Sequence, residues 1–270
     1  MMPRRSLAGN PPGPLRLAGS ALVAVAVIWG WVAPAACGEP LRIVDFPTAG
    51  LYARGEYGFD MDLYSDGGLL FGVGVGIARF VSFGASYGGL KFIGSGDPDM
   101  NPRPEVNVRV RLLEEDVAVP AVAVGFDSQG YGKFFDTEGM EERYLVKSRG
   151  IYAVASKNWD LLGAFSLHGG VSYSLENDVD NDPTVFVGAI KALGQAAEFA
   201  AEFDLGANDD KGPAALVQRW GYLNASVSWY VNENFLLAFK VRDIAAEDRR
   251  GVEEERKWNR GFSLSYRAEL

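Results

Sequence analysis

The sequence predicts an all-β chain that closes into an antiparallel up-and-down transmembrane β-barrel of about twelve strands, following an N-terminal signal peptide. Three observations carry this. Apolar and polar residues alternate with period two in segment after segment, as in Leu51 to Tyr64, where Tyr57, Phe59, Met61 and Leu63 oppose Glu56, Asp60, Asp62 and Tyr64. The links between segments alternate between long polar loops and tight turns. No helical stretch of useful length interrupts them. A strand in hydrocarbon must pair every backbone amide and carbonyl, which a closed sheet achieves with only every second side chain apolar.

The elements follow in chain order. Residues 1–35 read as the leader: Arg4, Arg5 and Arg16 precede the apolar run ALVAVAVIWGWVAPAA, and Ala33-Pro34-Ala35 supplies a small-x-small cut site. Alternative readings are a transmembrane anchor, or a lipoprotein signal acylated at Cys37. Residues 36–49 are expected as a short periplasmic N-terminal segment, and 50–270 as the barrel. Its strands are expected near 50–64, 68–78, 81–92, 103–112, 119–128, 145–157, 160–174, 184–191, 195–206, 219–231, 234–244 and 258–270. Period two is clearest in AEFAAEFDLG, LNASVSWYV and the terminal GFSLSYRAEL. The long links fall after odd strands and the tight ones after even strands, so both termini share the tight-turn side, expected to be periplasmic.

Aromatic residues suggest two interfacial girdles, with Trp159, Trp229, Tyr230 and Phe235 at one end and Phe92, Tyr144, Trp220 and Trp258 at the other. Tyr266, Ala268 and Leu270 end the chain on the outward parity. This resembles the terminal signal of outer-membrane barrels and implies handling by the barrel assembly machinery. The remaining expected partners are outer-membrane lipids and lipopolysaccharide, with a polysaccharide or small polar solute in the lumen. The expected location is the bacterial outer membrane.

Composition excludes several functions. The chain carries a formal charge of −9, and losing the three leader arginines takes it to −12. With no basic aromatic patch, nucleic acid is excluded as a partner. The single cysteine permits no intrachain disulfide. GVGVGIA at 72–78 has glycine spacing seen in nucleotide sites but lacks the following helix, so its glycines read as small inward residues making room in the lumen. Asp178, Asp180 and Asp182 lack the glycine and terminal glutamate of a helix-loop-helix calcium site and read as a solvated loop. No cofactor and no metal site are expected.

The candidate functional residues are a lumen-facing charged network of Arg54, Glu56, Asp60, Asp62, Arg109, Arg111, Glu198, Glu202, Asp204, Lys240, Arg242, Arg267 and Glu269. Buried charges must be paired or wet. These either cross-link a plugged lumen or line a narrow passage for a polar solute, with Arg267 and Glu269 able to form a charge ladder with the first strand at the closure. The expected function is therefore non-enzymatic, as an envelope component or passage. A hydrolase using Ser166 and His168, which share the inward parity of one strand, is the enzymatic alternative. A soluble exported β-sandwich that binds a ligand is the third.

Residues 104–132 and the following RYLVKSRGIYAVASKNWDLLGAFSLHGGVSYSL carry a more particular pattern: Arg111-Leu112, Glu114-Glu115, Pro120, Ala123 to Gly125, Gly130, Gly132, Tyr144 and Ser156-Lys157. Over 104–175 this resembles the YjbH-like exopolysaccharide-associated outer-membrane barrels. The resemblance implies a role in extracellular polysaccharide production or export. The chain is short for that family, and Gly130-Tyr131-Gly132 replaces its usual glycine-threonine-glycine element.

Overall fold

The computed structural model describes residues 38–137, 140–176, 180–211, 221–244 and 259–270. The expected leader, Cys37, Asp178, Trp220 and Trp258 lie outside them. The strands in chain order are β1 (Glu56–Tyr64), β2 (Gly68–Ala78), β3 (Val81–Leu90), β4 (Asp99–Met100), β5 (Glu105–Leu113), β6 (Ala121–Asp127), β7 (Tyr131–Thr137), β8 (Met140–Val146), β9 (Gly150–Asp160), β10 (Ala164–Tyr173), β11 (Thr184–Leu193), β12 (Ala197–Asp204), β13 (Tyr222–Tyr230), β14 (Phe235–Arg242) and β15 (Asn259–Glu269). Thirteen of them form one antiparallel sheet, in which β4 only extends the end of β3 and the other twelve each pair with the next along the chain; β7 and β8 stand apart. It closes where β1 pairs with β15, with Glu56 opposite Glu269 and Leu63 opposite Phe262. The twelve-strand barrel predicted from period two is thus the observed fold, and no sandwich forms.

The outward parity is apolar around the wall. Phe59, Phe71, Val73, Val171, Val187, Phe199, Val227 and Phe239 are all exposed, whereas their inward neighbours Asp62, Ser82, Ser172, Glu202, Ser226 and Lys240 are buried. Hydrocarbon is the solvent that suits such a belt. Val73→Arg, at mid-strand in β2, is expected to cost about 2–4 kcal/mol of stability in bilayers, read by urea unfolding in vesicles; an inward substitution of the same size would lack this lipid-dependent penalty.

The two largest delays in a strand's start, of six and five residues, each fall at a glycine. The first starts at Glu56 because Gly55 takes φ +86, a left-handed conformation that ends the incoming segment. The sixth barrel strand, β9, starts at Gly150 (φ +57), where a side chain would strike the Tyr173 carbonyl, 2.1 Å from an ideal Cβ. Residues 129–144, expected as open loop, contribute most of the separate β7–β8 hairpin, which runs on to Val146.

The largest departure concerns the N-terminal segment, expected to lie in the periplasm. Residues 40–52 instead occupy the lumen. Ile43, Val44, Phe46, Thr48 and Ala49 are all buried, and the segment touches strands on opposite sides of the barrel at once. Asp45 meets Arg242 on β14, Ala49 meets Ser156 on β9, and Gly50 meets Arg109 on β5. Only a chain inside the wall can do this. It folds as a hairpin: Ile43 N–H donates to the Phe46 carbonyl (2.8 Å) and Thr48 N–H to the Leu41 carbonyl (3.1 Å).

The physical reason is apolar surface that water would otherwise cover. Ile43, Val44, Phe46 and Ala49 form one core with the inward side chains Ala121, Ala123, Tyr152, Val154, Phe186, Ile190 and Ala200, and the Phe46 and Phe186 rings stack with centroids 4.7 Å apart. One half of the lumen is therefore a hydrophobic core, which the polar interior expected from sequence did not contain.

Candidate functional site: the lumen and its resident hairpin

The hairpin tip is held by one carboxylate. Val44, Asp45 and Phe46 present three successive backbone N–H groups to Glu202 Oε2 at 2.9, 3.0 and 3.0 Å, a concave donor set of the kind that binds anions. Asn224 donates to the other oxygen, Glu202 Oε1, at 2.7 Å. Beside the tip, Asp45 accepts from Arg242 at 2.6 and 2.9 Å. Asp62 accepts from Arg242 at 2.7 Å and from Lys240 at 2.9 Å. Burial alone would raise the Asp45 pKa, but Arg242, Lys240 and Arg149 outweigh it and hold the carboxyl well below the usual carboxylate range.

Both arms are held through their carbonyls. Arg109 donates to Leu41 O (2.9 Å) and Gly50 O (2.7 Å) and also to the Tyr152 hydroxyl (2.8 Å). Arg111 donates to Ala49 O at 3.1 and 2.7 Å and bonds Glu39. Tyr52 packs where its ring needs two glycines: an ideal Cβ on Gly58 would lie 2.5 Å from its hydroxyl, and one on Gly74 2.2 Å from its ring. The GVGVGIA glycines make room for an inward side chain, as expected; that side chain belongs to the hairpin.

The thirteen residues expected as a lumen network divide accordingly. Asp62, Arg109, Arg111, Glu202, Lys240 and Arg242 converge on the hairpin. Arg267 donates to Glu39 O at 2.7 Å and lies over the Tyr52 ring. Asp204 accepts from Thr184 Oγ1 (2.5 Å) and pairs with Arg149 (3.3 Å); Arg149 in turn sits 3.5 Å over the Phe46 ring. Glu198 accepts from the Tyr230 hydroxyl at 2.8 Å, and Asp60 accepts from Ser265 at 2.6 Å.

Three members do not join. Arg54 is exposed in the turn before β1, Glu56 caps that turn by accepting from Ala53 N–H at 2.7 Å, and Glu269 is exposed at the end of β15. At the closure Asp60 faces Ser265, Asp62 faces Ser263, Glu56 faces Glu269 and Arg267 faces Gly58, so the register sets no acid of β1 directly opposite Arg267.

Two aromatics assigned to girdles also turn inward: Tyr230 to Glu198, and Tyr144, which is buried in β8 and donates to Glu105 at 3.1 Å. Trp159, Trp229 and Phe92 are exposed, as girdle residues must be.

Between the hairpin and the β1–β3 and β12–β15 walls remains a cavity of about 150 Å³. Ser82, Ser86, Ser226, Ser228, Ser263 and Ser265 line it, together with Asn107, Asp60, Glu198 and Arg267. These side chains offer rotatable donors and acceptors on a wall that also carries the apolar side chains of Leu41, Ile43, Met61, Leu70 and Leu236.

At the long-loop end the links knit together. Arg143 is buried against Asp209, whose carboxylate also accepts from the Tyr222 hydroxyl at 2.6 Å. Lys147 donates to the Asp180 and Asn208 carbonyls at 2.8 and 2.6 Å, and burial lowers its pKa. Glu176 accepts from Tyr144 N–H and Ser148 N–H, each at 3.0 Å. Asp180 thus serves loop packing, also accepting from Asp210 N–H and Lys211 N–H.

The Ser166 and His168 side chains do meet, with Nε2 2.9 Å from Oγ. The second ring nitrogen contacts Ser156 Oγ at 2.8 Å, where a triad would place a carboxylate. Ser156 Oγ also accepts from Ala49 N–H at 2.8 Å. A cavity at the turn end reaches His168 and Glu115, but Glu115 is engaged by Asn158 N–H (2.9 Å) and Lys157 (3.0 Å). Both Ser166 and His168 are buried, at 6% and 3% exposure. The arrangement is a strut from wall to hairpin.

No family model and no curated protein matches the chain. Among solved structures it is similar to a KdgM porin, with TM-score 0.47, 10% identity, and 78% of this chain and 98% of that one covered. A KdgM porin in complex with disordered oligogalacturonate gives TM-score 0.43 at 9% identity, covering 80% and 99%. A NanC porin gives 0.41 at 10%, covering 79% and 99%.

Proposed function

We propose that the protein is a non-enzymatic barrel of the bacterial outer membrane that provides a narrow passage for a polar solute, with the loop end outside the cell and both chain ends in the periplasm. The hydroxyl-lined cavity beside the hairpin carries this reading. A barrel serving only as an envelope scaffold gains nothing from an unfilled cavity edged by six serines, because inward apolar side chains would pack it as the Phe46 half is packed. Mixed acids and bases around a hydroxylated wall suit a hydrophilic solute that must enter and leave without being trapped. The resemblance of residues 104–175 to exopolysaccharide-associated barrels supports a saccharide as that solute.

Planar-bilayer conductance tests the reading. Deleting residues 40–52 removes the hairpin and its half of the lumen core, and is expected to give a larger unit conductance than the full chain. Heat-modifiable migration on a gel establishes that the shortened barrel is folded. A folded, hairpin-free barrel that conducts no ions would refute the passage and leave the scaffold role.

A further inference from the structure

The hairpin differs from the wall in how it is attached. Wall strands are joined by continuous ladders. Among the described residues no ladder pairing joins residues 40–52 to any wall strand; the only strand-like bridge within them is Arg42 to Pro47, internal to the hairpin. Side chains from the wall hold its backbone instead, and it joins β1 just before Gly55, whose left-handed φ of +86 makes the turn and whose own N–H and carbonyl bond Gly76 and Leu270. Lifting the hairpin therefore breaks side-chain contacts and its core packing but no ladder of the wall.

One residue links this body to the outside end. Arg42 of the hairpin donates to the Tyr131 hydroxyl at 3.3 Å and lies 3.6 Å from Asp127. Tyr131 opens β7, in the loop between β6 and β9, and its ring is buried with Tyr64, Leu70 and Leu90. The Arg242 guanidinium, the partner of Asp45, lies 4.7 Å from the same ring's centroid. A single phenol therefore touches both the hairpin and the cation that anchors its tip.

We propose that the 40–52 hairpin is the gate of the passage and that Tyr131 latches it, so that displacing the β7 loop from outside unlocks the hairpin inside. This rests on the passage reading and adds its regulation. With the latch closed, Arg42 and Arg242 are both held and the hairpin keeps its seat on Glu202. Withdrawal of Tyr131 leaves Arg42 with Asp127 alone and uncovers Arg242, and the hairpin can then lift from its seat about the exposed turn before β1.

The test uses the full chain in planar bilayers. Tyr131→Phe keeps the ring and removes the oxygen that accepts from Arg42; its loss is expected to raise opening frequency about tenfold, the scale of a hydrogen bond to a charged group. Arg42→Gln should give a similar rise, with no further gain in the double variant, because both break one latch. A second arm holds the gate shut. With Cys37→Ser removing the native thiol, Ala49→Cys and Ser156→Cys joined by a short reducible bis-thiol linker should abolish openings, and reduction should restore them. Openings at the untethered frequency in the linked protein, or a Tyr131→Phe chain that opens no more often than wild type, would overturn the gate. Either result leaves the passage reading standing, since that reading fails separately if the chain lacking residues 40–52 is silent.

Discussion

Glu202→Ala is expected to destabilise the protein by about 4 kcal/mol and to release the hairpin from its seat. Three N–H groups, from Val44, Asp45 and Phe46, converge on this carboxylate, and Asn224 adds a fourth donor. Each buried donor left without an acceptor costs about 1–3 kcal/mol, and Glu202 itself is only 1% exposed, so water does not replace it in place. Part of the loss is relieved if the tip lifts into the cavity beside the hairpin, which keeps the total below the sum of the separate bonds. Glu202→Gln retains one acceptor oxygen and the side-chain volume, and should lose roughly half as much. Urea unfolding in vesicles gives the energies, and limited proteolysis within residues 40–52 reports the release. A Glu202→Ala barrel as stable and as protected as wild type would show that the tip is seated by the Phe46 core alone.

The sequence reveals the wall almost completely, and for a physical reason. In a closed barrel every second residue faces lipid, so each strand writes its own face assignment, and errors are confined to ends such as Gly55 and Gly150, where a left-handed glycine stops a pattern that would otherwise run on. The inside is less legible. Parity says that Glu202 and Arg242 point inward but not what they meet, because their partners are backbone groups of the hairpin and Asp45, more than 150 residues away in sequence.

One signal was present. Phe186, Ile190, Val154 and Ala200 are apolar residues on inward parity, beside the small inward residues Gly74 and Gly188. A water-filled lumen wants neither, and together they describe a surface awaiting an apolar occupant. The segment LRIVDFPTAGLY has that character, but its position after a leader made a periplasmic tail the simpler reading. The β7–β8 hairpin was hidden differently: YGKFFDT and MEERYLV mix charged and aromatic residues without clean alternation, since neither lipid nor a uniform core imposes a face on them.

Arg242→Met is expected to cost about 3–5 kcal/mol, because it strands charge. In the wild type Arg242 bridges Asp45 and Asp62, with Lys240 at 2.9 Å from Asp62 but 3.6 Å from Asp45. Without the guanidinium, two buried carboxylates share one ammonium, and Asp45 loses both of its close donors. Replacing both partners should be far milder: Asp45→Asn combined with Arg242→Met removes one charge of each sign, and the difference between this double variant and the sum of the singles measures the coupling. The same pair sets an acid limit. The folded-state pKa of Asp45 is depressed, chiefly by Arg242 and Lys240 against the opposing effect of burial, so its stabilisation is complete above the ordinary carboxylate pKa of about 3.9 and is lost as pH falls from there through the lower folded value. Wild-type stability should therefore decline on acidification across that window, and Asp45→Asn should flatten the decline while lowering stability at neutral pH. An unchanged acid profile in Asp45→Asn would mean that the Arg242 cluster is held together by Asp62 and Lys240 without the hairpin's carboxylate.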